Sequence, residues 1–301
     1  MQALIFPTAV WRRVWRDAAI VVAVAICLAR ATGLAWPFAN DFHAYYSADL
    51  AQLYAGSAPG GVGAFLYSPL FAQLIEPLRW LPYNVALALW TGLELASLIY
   101  IAGPWSLLLF LPLAPEWMDG NVHLVMAAAV FAGLRRPSPW MWAVPAFTKL
   151  APAVGLAWFA FRREWSALAR ALVVIGSLAG VSFLLAPHLW VAWTQMLLTN
   201  LGSPSPFPGT IGIPLPVRLL PALVLLAWGA RTDRRWTVPI ACGLLMPSLW
   251  ISALFAFGIV ALRLAVLPAW LPIRIPRRAT GPEPVRSPAP SAVSAGATSQ
   301  S

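Results

Sequence analysis

The sequence predicts an all-α polytopic membrane protein, a helical bundle of about eight to ten membrane segments, some short or re-entrant, where a full span needs roughly 20 residues. Three observations carry this. Of the 301 residues, 60% are hydrophobic and only 10% are charged, against roughly 25% charged in a soluble domain. The mean hydropathy is +0.74. The arginines fall in short runs between apolar segments, which is the positive-inside pattern.

The net charge of +10 comes from nineteen Arg and one Lys against ten acids. In a soluble protein that excess would point to nucleic acid. Here the arginine runs between apolar segments account for it, and no nucleic-acid partner is expected. Cys27 and Cys242 each lie inside an apolar segment, so no disulfide is expected.

Taken in order, residues 1–17 carry Arg12, Arg13 and Arg16 and read as a cytoplasmic N-terminus. The apolar run over 18–36 follows as an uncleaved first helix, because Arg30 sits beside the only candidate cleavage site. Residues 36–65 are then an outer loop. Residues 66–81 read as a short return to the inner side, with Glu76 and Arg79 spaced to pair. Residues 83–103 go back out with Glu94 at mid-span, for which Arg30 is a candidate partner. Residues 104–115 are too short to span and read as interfacial or re-entrant, leaving Glu116, Asp119 and Gly120 outside. Residues 121–134 head inward to Arg135 and Arg136.

Residues 137–161 lie between two arginine pairs that both belong on the inner side. A hairpin of two half-helices, broken around Pro145 to Pro152, satisfies both pairs. Its apex carries Lys149, the only lysine in the chain. Charge and broken backbone at membrane depth are tolerated where they line a protein-walled cavity. Residues 165–186 go out, and 187–216 form a second outer stretch with His188, Asn200, Trp190 and Trp193. Residues 215–230 return, 237–247 rise, and 248–271 descend with an interruption near Arg263. The membrane domain is therefore 18–272. The Pro-, Ser-, Ala- and Arg-rich tail over 273–301 is expected to be disordered and cytoplasmic.

Chemistry concentrates in residues 36–70, the longest polar interruption in the first half of the chain. It holds Asp41, His43, Tyr45, Tyr46 and Asp49. A carboxylate just beyond an apolar span, beside aromatics and hydroxyls, is placed to deprotonate an alcohol at a membrane surface. The competing reading is an ordinary loop with solvated acids. On the predicted topology Asp119, Asn121, His123, His188, Asn200 and Arg218 share that side, with Lys149 below. Arg218 either receives an anionic group or snorkels to headgroups. Asp41 and His43 offer two donors at most, and no metal site is expected.

Five blocks together resemble glycosyltransferase family 87, the polyprenyl-phosphate-mannose-dependent α-mannosyltransferases. Asn40-Asp41-Phe42 with Tyr45-Tyr46 is similar to the family's first-loop Asp and paired tyrosines. Tyr67-Ser68-Pro69-Leu70 resembles its Tyr-Pro-Pro-Leu, with Ser68 in place of the first Pro. Gly120-Asn121-Val122-His123 stands where the family has Gly-Gln-x-Asn. Thr148-Lys149-Leu150-Ala151-Pro152 with Arg162-Arg163-Glu164-Trp165 resembles its Lys-x-x-Pro and basic-Trp signature. Pro247-Ser248-Leu249-Trp250 resembles its late Ser-Pro-x-Ser-Trp.

The resemblance implies a C-type glycosyltransferase fold in the plasma membrane, with cytoplasmic termini and an extracytoplasmic site. Asp41 is then the general base of an inverting transfer. The donor is a polyprenyl-phosphate sugar, most directly mannose, and the acceptor is a lipid or glycan. Lys149 and Arg218 face the departing phosphate, while Tyr45, Tyr46, Asn121 and His123 hold sugar hydroxyls. No cofactor is implied, and membrane lipids are the surrounding partner. Two other readings compete: a transporter or lipid flippase with Lys149 and Glu94 on its pathway, and an inactive scaffold. The absence of a fixed internal repeat and the one-sided polarity weigh against the transporter.

Overall fold

The computed structural model describes residues 9–36, 38–55, 57, 63–135, 138–200 and 210–266. The predicted tail over 273–301 lies outside these residues, as do Arg136 and most of the Gly/Ser/Pro-rich run after Asn200. The described residues are helical, with no named strand among them and one isolated bridge, Thr210 to Trp250.

In chain order the helices are α1 (Ala9–Ala31), α2 (Asn40–Tyr46), α3 (Pro69–Ile75), α4 (Tyr83–Ala102), α5 (Ser106–Leu109), α6 (Ala114–Asp119) and α7 (His123–Arg135). They continue with α8 (Ala143–Lys149), α9 (Ala157–Phe161), α10 (Trp165–Leu185), α11 (Pro187–Thr199), α12 (Leu215–Arg231), α13 (Thr237–Leu244) and α14 (Ile251–Val266). The stretch Tyr83–Leu109 and α10 are long and apolar enough to cross a bilayer. Shorter apolar helices such as α7 and α14 accompany them. On α10 only Ala171 and Ser182 are buried, while Leu172, Val173, Val181, Leu184 and Leu185 lie exposed. A helix apolar on all sides and uncovered by protein suits hydrocarbon and not water. The protein is an all-α membrane protein, as its composition predicts.

α1 and α4 form an antiparallel pair. Gly33 lies beside Asn84 and Cys27 beside Gly92, while Arg16 and Gly103 line the far end of the same groove. This corrects the sequence reading, in which both helices ran the same way. The cause lies in residues 66–81, which do not cross. The Tyr67 hydroxyl bonds that of Tyr45 on α2 at 2.8 Å, and Tyr46 on the same helix donates to the Leu81 carbonyl at 2.8 Å. Arg79 donates to the Ala48 carbonyl at 2.6 Å, so both ends of the segment stay with α2. α3 has only seven residues, about 10 Å of rise. Pro77 then starts a 3₁₀ turn over Glu76–Trp80.

The chain also comes back after Gly103, whose φ of 62° ends α4. By Met118 it is beside α1 again, where its carbonyl accepts from Arg30 at 2.8 Å. The Gly120 carbonyl accepts from Trp90 Nε1 at 2.8 Å. Glu116, Asp119 and Gly120 therefore share the α2 end, as expected, but by a different route. Arg30 does not pair with Glu94. Its guanidinium donates to Thr91 Oγ1 and the Met118 carbonyl, both at 2.8 Å, and lies 5.9 Å from the Trp117 ring centre. Glu94 is fully buried, and neither carboxyl oxygen has a hydrogen-bond partner.

The predicted hairpin is present. Trp142 wedges between Gly133 of α7 and Gly155 of the returning arm, where an added Cβ would fall 2.8 and 2.5 Å from the indole. Only glycine admits a ring at that distance. The outgoing arm reaches α3, where the Phe147 carbonyl accepts from Ser68 Oγ at 2.6 Å. The returning arm ends at Arg162, which pairs with Asp233 beyond α12 at 2.7 Å. The second outer stretch includes a helix, α11, and its Trp190 and Trp193 pack edge to face at 5.5 Å. α14 runs through Arg263 without interruption, and Arg263 donates to the Tyr100 carbonyl near the end of α4 at 2.7 Å.

Candidate active site

Three short structures converge on one polar cluster. The first is α2, which carries Asp41 in its first turn. Phe42 is fully buried, its ring 5.7 Å from Tyr83 and 6.1 Å from Trp90. Tyr45 packs on Tyr67, Phe71 and Trp90 at 5.1–5.3 Å. An apolar face bound this closely fixes the rotation of a seven-residue helix that has little stability of its own. It leaves Asp41 half-buried beside the turn into α7.

The second structure is that turn. Gly120 has φ 73° and ψ 35°, the left-handed conformation that ends α6, and the Asn121 N–H closes on the Glu116 carbonyl. Asn121 and His123 then project from the start of α7. Asn121 Nδ2 donates to Asp41 Oδ2 in a short hydrogen bond, while its buried Oδ1 has no partner. His123 is fully buried; its Nδ1 lies 2.9 Å from Glu116 Oε2 and 3.1 Å from Oε1.

The third is the hairpin apex. Lys149 Nζ sits 2.7 Å from His123 Nε2 and 5.7 Å from the centre of the Tyr67 ring. The result is a carboxylate and an ammonium held at the two ends of Asn121-Val122-His123. Burial pushes the Asp41 carboxyl above its ordinary range, with the nearby Lys149 and His123 pulling back in part. Burial alone would raise Glu116 too. The His123 ring and its hydrogen bond, the Ser252 hydroxyl and Lys149 outweigh it and hold that carboxyl below its ordinary range. The Tyr45 and Tyr67 hydroxyls, fully buried, are pushed up by burial and stay neutral.

Residues 65–283 match the model of glycosyltransferase family 87. The chain belongs to that family. No curated protein and no solved structure matches it. The match makes this family 87 chain a membrane glycosyltransferase, with a sugar donor and an acceptor as substrates. The matched residues include Glu116, Asn121, His123, Lys149 and Arg218, and they begin after α2, so Asp41 lies outside them.

Of the residues singled out in the sequence, the structure brings together Asp41, Asn121, His123 and Lys149. Three others do different work. Tyr45 is buried with its hydroxyl on Tyr67, and Tyr46 spends its one proton on the Leu81 carbonyl. Both rings anchor α2, with their hydroxyls bonded to Tyr67 and the Leu81 carbonyl. Arg218, buried to 5% exposure, donates to the carbonyls of Leu244, Met246 and Pro247, which closes the C-terminal end of α13. It neither joins the cluster nor snorkels to headgroups, because the free carbonyls of a broken helix claim its donors. His43 and His188 are exposed, and Asn200 bonds the Ser57 carbonyl, all away from the cluster. Among the described residues no group of three or more His, Cys, Asp or Glu side chains is arranged to hold a metal ion.

Glu116 was legible only as one of several outer acids. It stands seven residues before His123, and the Gly120 turn that folds the two together is the one signal in the sequence. Ser68 likewise explains the altered Tyr-Ser-Pro-Leu block. Its hydroxyl accepts from Phe71 N–H, capping α3, and donates to Phe147 below the hairpin apex.

Proposed function

We propose that this family 87 glycosyltransferase moves a hexose, mannose in the first instance, from a polyprenyl-phosphate sugar to a lipid or glycan acceptor. The observation that carries the reading is the pairing of Asp41 with Asn121 and of Lys149 with His123, two residues apart on one turn. The acceptor hydroxyl oxygen attacks the anomeric carbon as Asp41 takes its proton. The bond from that carbon to the phosphate oxygen breaks, and its electron pair leaves with the polyprenyl phosphate. A positioned base contributes about 10²–10⁴-fold. The Lys149 ammonium faces the charge that grows on the leaving phosphate. The unpartnered Asn121 Oδ1 accepts from a substrate hydroxyl. Attack opposite the leaving group inverts the anomeric centre. The donor arrives activated, so the reaction draws on no cofactor.

Orientation follows from the arginines. Arg12, Arg13, Arg16, Arg135, Arg162, Arg163 and Arg231 lie toward the end of the bundle opposite Asp41 in this reading, which makes that end cytoplasmic and the site extracytoplasmic. Both termini are then cytoplasmic, in a multi-pass protein of the plasma membrane. The test is transfer from radiolabelled polyprenyl-phosphate-mannose to a lipid extract, with purified wild type and Asp41→Asn. Transfer by wild type alone supports reaction class and base together, and the labelled product identifies the acceptor. Equal transfer by both removes Asp41 as base. No transfer by either counts against mannose transfer to any acceptor in that extract.

A further inference from the structure

Lys149 is the only lysine in the chain, and its Nζ lies 2.7 Å from a fully buried imidazole nitrogen. An ammonium has three donors and no acceptor, so His123 Nε2 must present a lone pair to it. That requires the hydrogen of the neutral ring to sit on Nδ1. Glu116 supplies the reason, because its two oxygens lie 2.9 and 3.1 Å from Nδ1 and a carboxylate only accepts. The three groups form one directed chain: Lys149 donates to His123, and His123 donates to Glu116.

Resting on the function proposed above, we infer that Glu116 is a positioning residue of the transfer, which fixes the His123 tautomer and so holds the Lys149 ammonium charged and aimed at the donor phosphate. Without the carboxylate, the ring is free to carry its hydrogen on Nε2, where it meets the ammonium donor to donor. The Lys149 side chain then loses both its orientation and the negative charge behind His123. The groups that face this chain from the packed elements are few. They are Asp41 of α2, Tyr67 before α3, Glu94 of α4, Asp119 and Glu116 of α6 with Ser252 of α14 bonded to Glu116, and Asn121 beside His123. Of the other acids here, Asp41 is bonded to Asn121, Asp119 to Asn40, and Glu94 has no hydrogen-bond partner, so none of them takes the His123 hydrogen.

Because the lysine is unique, selective ¹⁵N-lysine labelling gives a single side-chain Nζ signal, and its pH titration follows Lys149 whether or not the protein turns over. In Glu116→Gln the midpoint of that titration is expected at lower pH by about one unit, the size of the effect of losing one nearby opposite charge. The alkaline limb of donor transfer should move with it, so that the rate falls about tenfold on that limb. Glu116→Asp, which keeps the charge, should restore the limb, and it serves as the working variant where Glu116→Gln folds poorly. An unmoved Nζ midpoint in Glu116→Gln, or in Glu116→Asp a limb displaced as in Gln, overturns the inference. A fall in transfer by the same factor at every pH, with the midpoint unmoved, assigns Glu116 to structure alone. The titration separates this inference from the reaction: wild type inactive on the mannose donor with a shifted midpoint in the variant retains the Glu116 chain and rejects that donor.

Discussion

Gly120 lies against Phe42 so closely that a Cβ added to it would fall 2.5 Å from the Phe42 Cβ and 3.2 Å from its backbone nitrogen. The turn that delivers Asn121 and His123 is thereby seated on the helix that delivers Asp41. Gly120→Ala should be destabilising by about 2 kcal/mol or more, combining a left-handed alanine with an overpacked contact. Thermal melting of the purified variant checks this, and transfer should fall with it. A variant that melts like wild type would mean that α2 shifts freely and does not set the site.

Asp41→Asn should lower transfer about 10²–10⁴-fold, the usual worth of a positioned base. Melting should stay the same or rise slightly. The sign follows from burial: a carboxyl raised above its ordinary range is costly to keep charged in the folded state, and the amide removes that cost. For the same reason the acid limb of the wild-type rate should lie above the ordinary carboxyl range, because activity is lost as Asp41 takes up a proton on acidification.

Lys149→Met should raise the apparent KM for the polyprenyl-phosphate donor more than tenfold while acceptor KM changes little. The change also leaves the Glu116–His123 pair without its cation, so melting is measured beside the kinetics. Loss of stability with an unchanged donor KM would make Lys149 a structural residue.

The placement of residues 66–81 is open to labelling from one side of the membrane. Cysteines at the exposed positions Ser47 and Arg79, in a background lacking Cys27 and Cys242, should both react with an impermeant thiol reagent on intact cells. A cysteine at the exposed Arg231 should react only after lysis. Labelling of position 79 only after lysis would restore the crossing that the sequence pattern suggests.

Several features were legible because each rests on local chemistry. Arg135-Arg136 and Arg162-Arg163 cannot both stay inside unless the chain between them doubles back, and the Pro145 to Pro152 breaks put Lys149 at the bend. Asp41 stood out as an acid beside aromatics at the edge of an apolar run. The path of residues 66–119 was not legible. Apolar length alone does not say whether a segment crosses, and here a seven-residue helix turns at Pro77 while the chain doubles back after Gly103. The crossing predicted over 66–81 is absent and an unpredicted return follows Gly103; the two cancel, which is why Glu116 and Asp119 still reached the expected side.

Composition, arginine placement and the position of prolines and glycines determined by themselves that this chain is a helical membrane protein, with a lysine at a hairpin apex and a carboxylate near the surface. Those are properties of single segments in a given solvent, and they need no partner to be read. Which groups meet was decided only in three dimensions. Arg30 took Thr91 and a carbonyl instead of Glu94, Arg218 went to the end of α13, and His123 joined Glu116 to Lys149. Most buried polar groups pair with whatever the packing brings within about 3 Å, and that choice belongs to the assembled bundle.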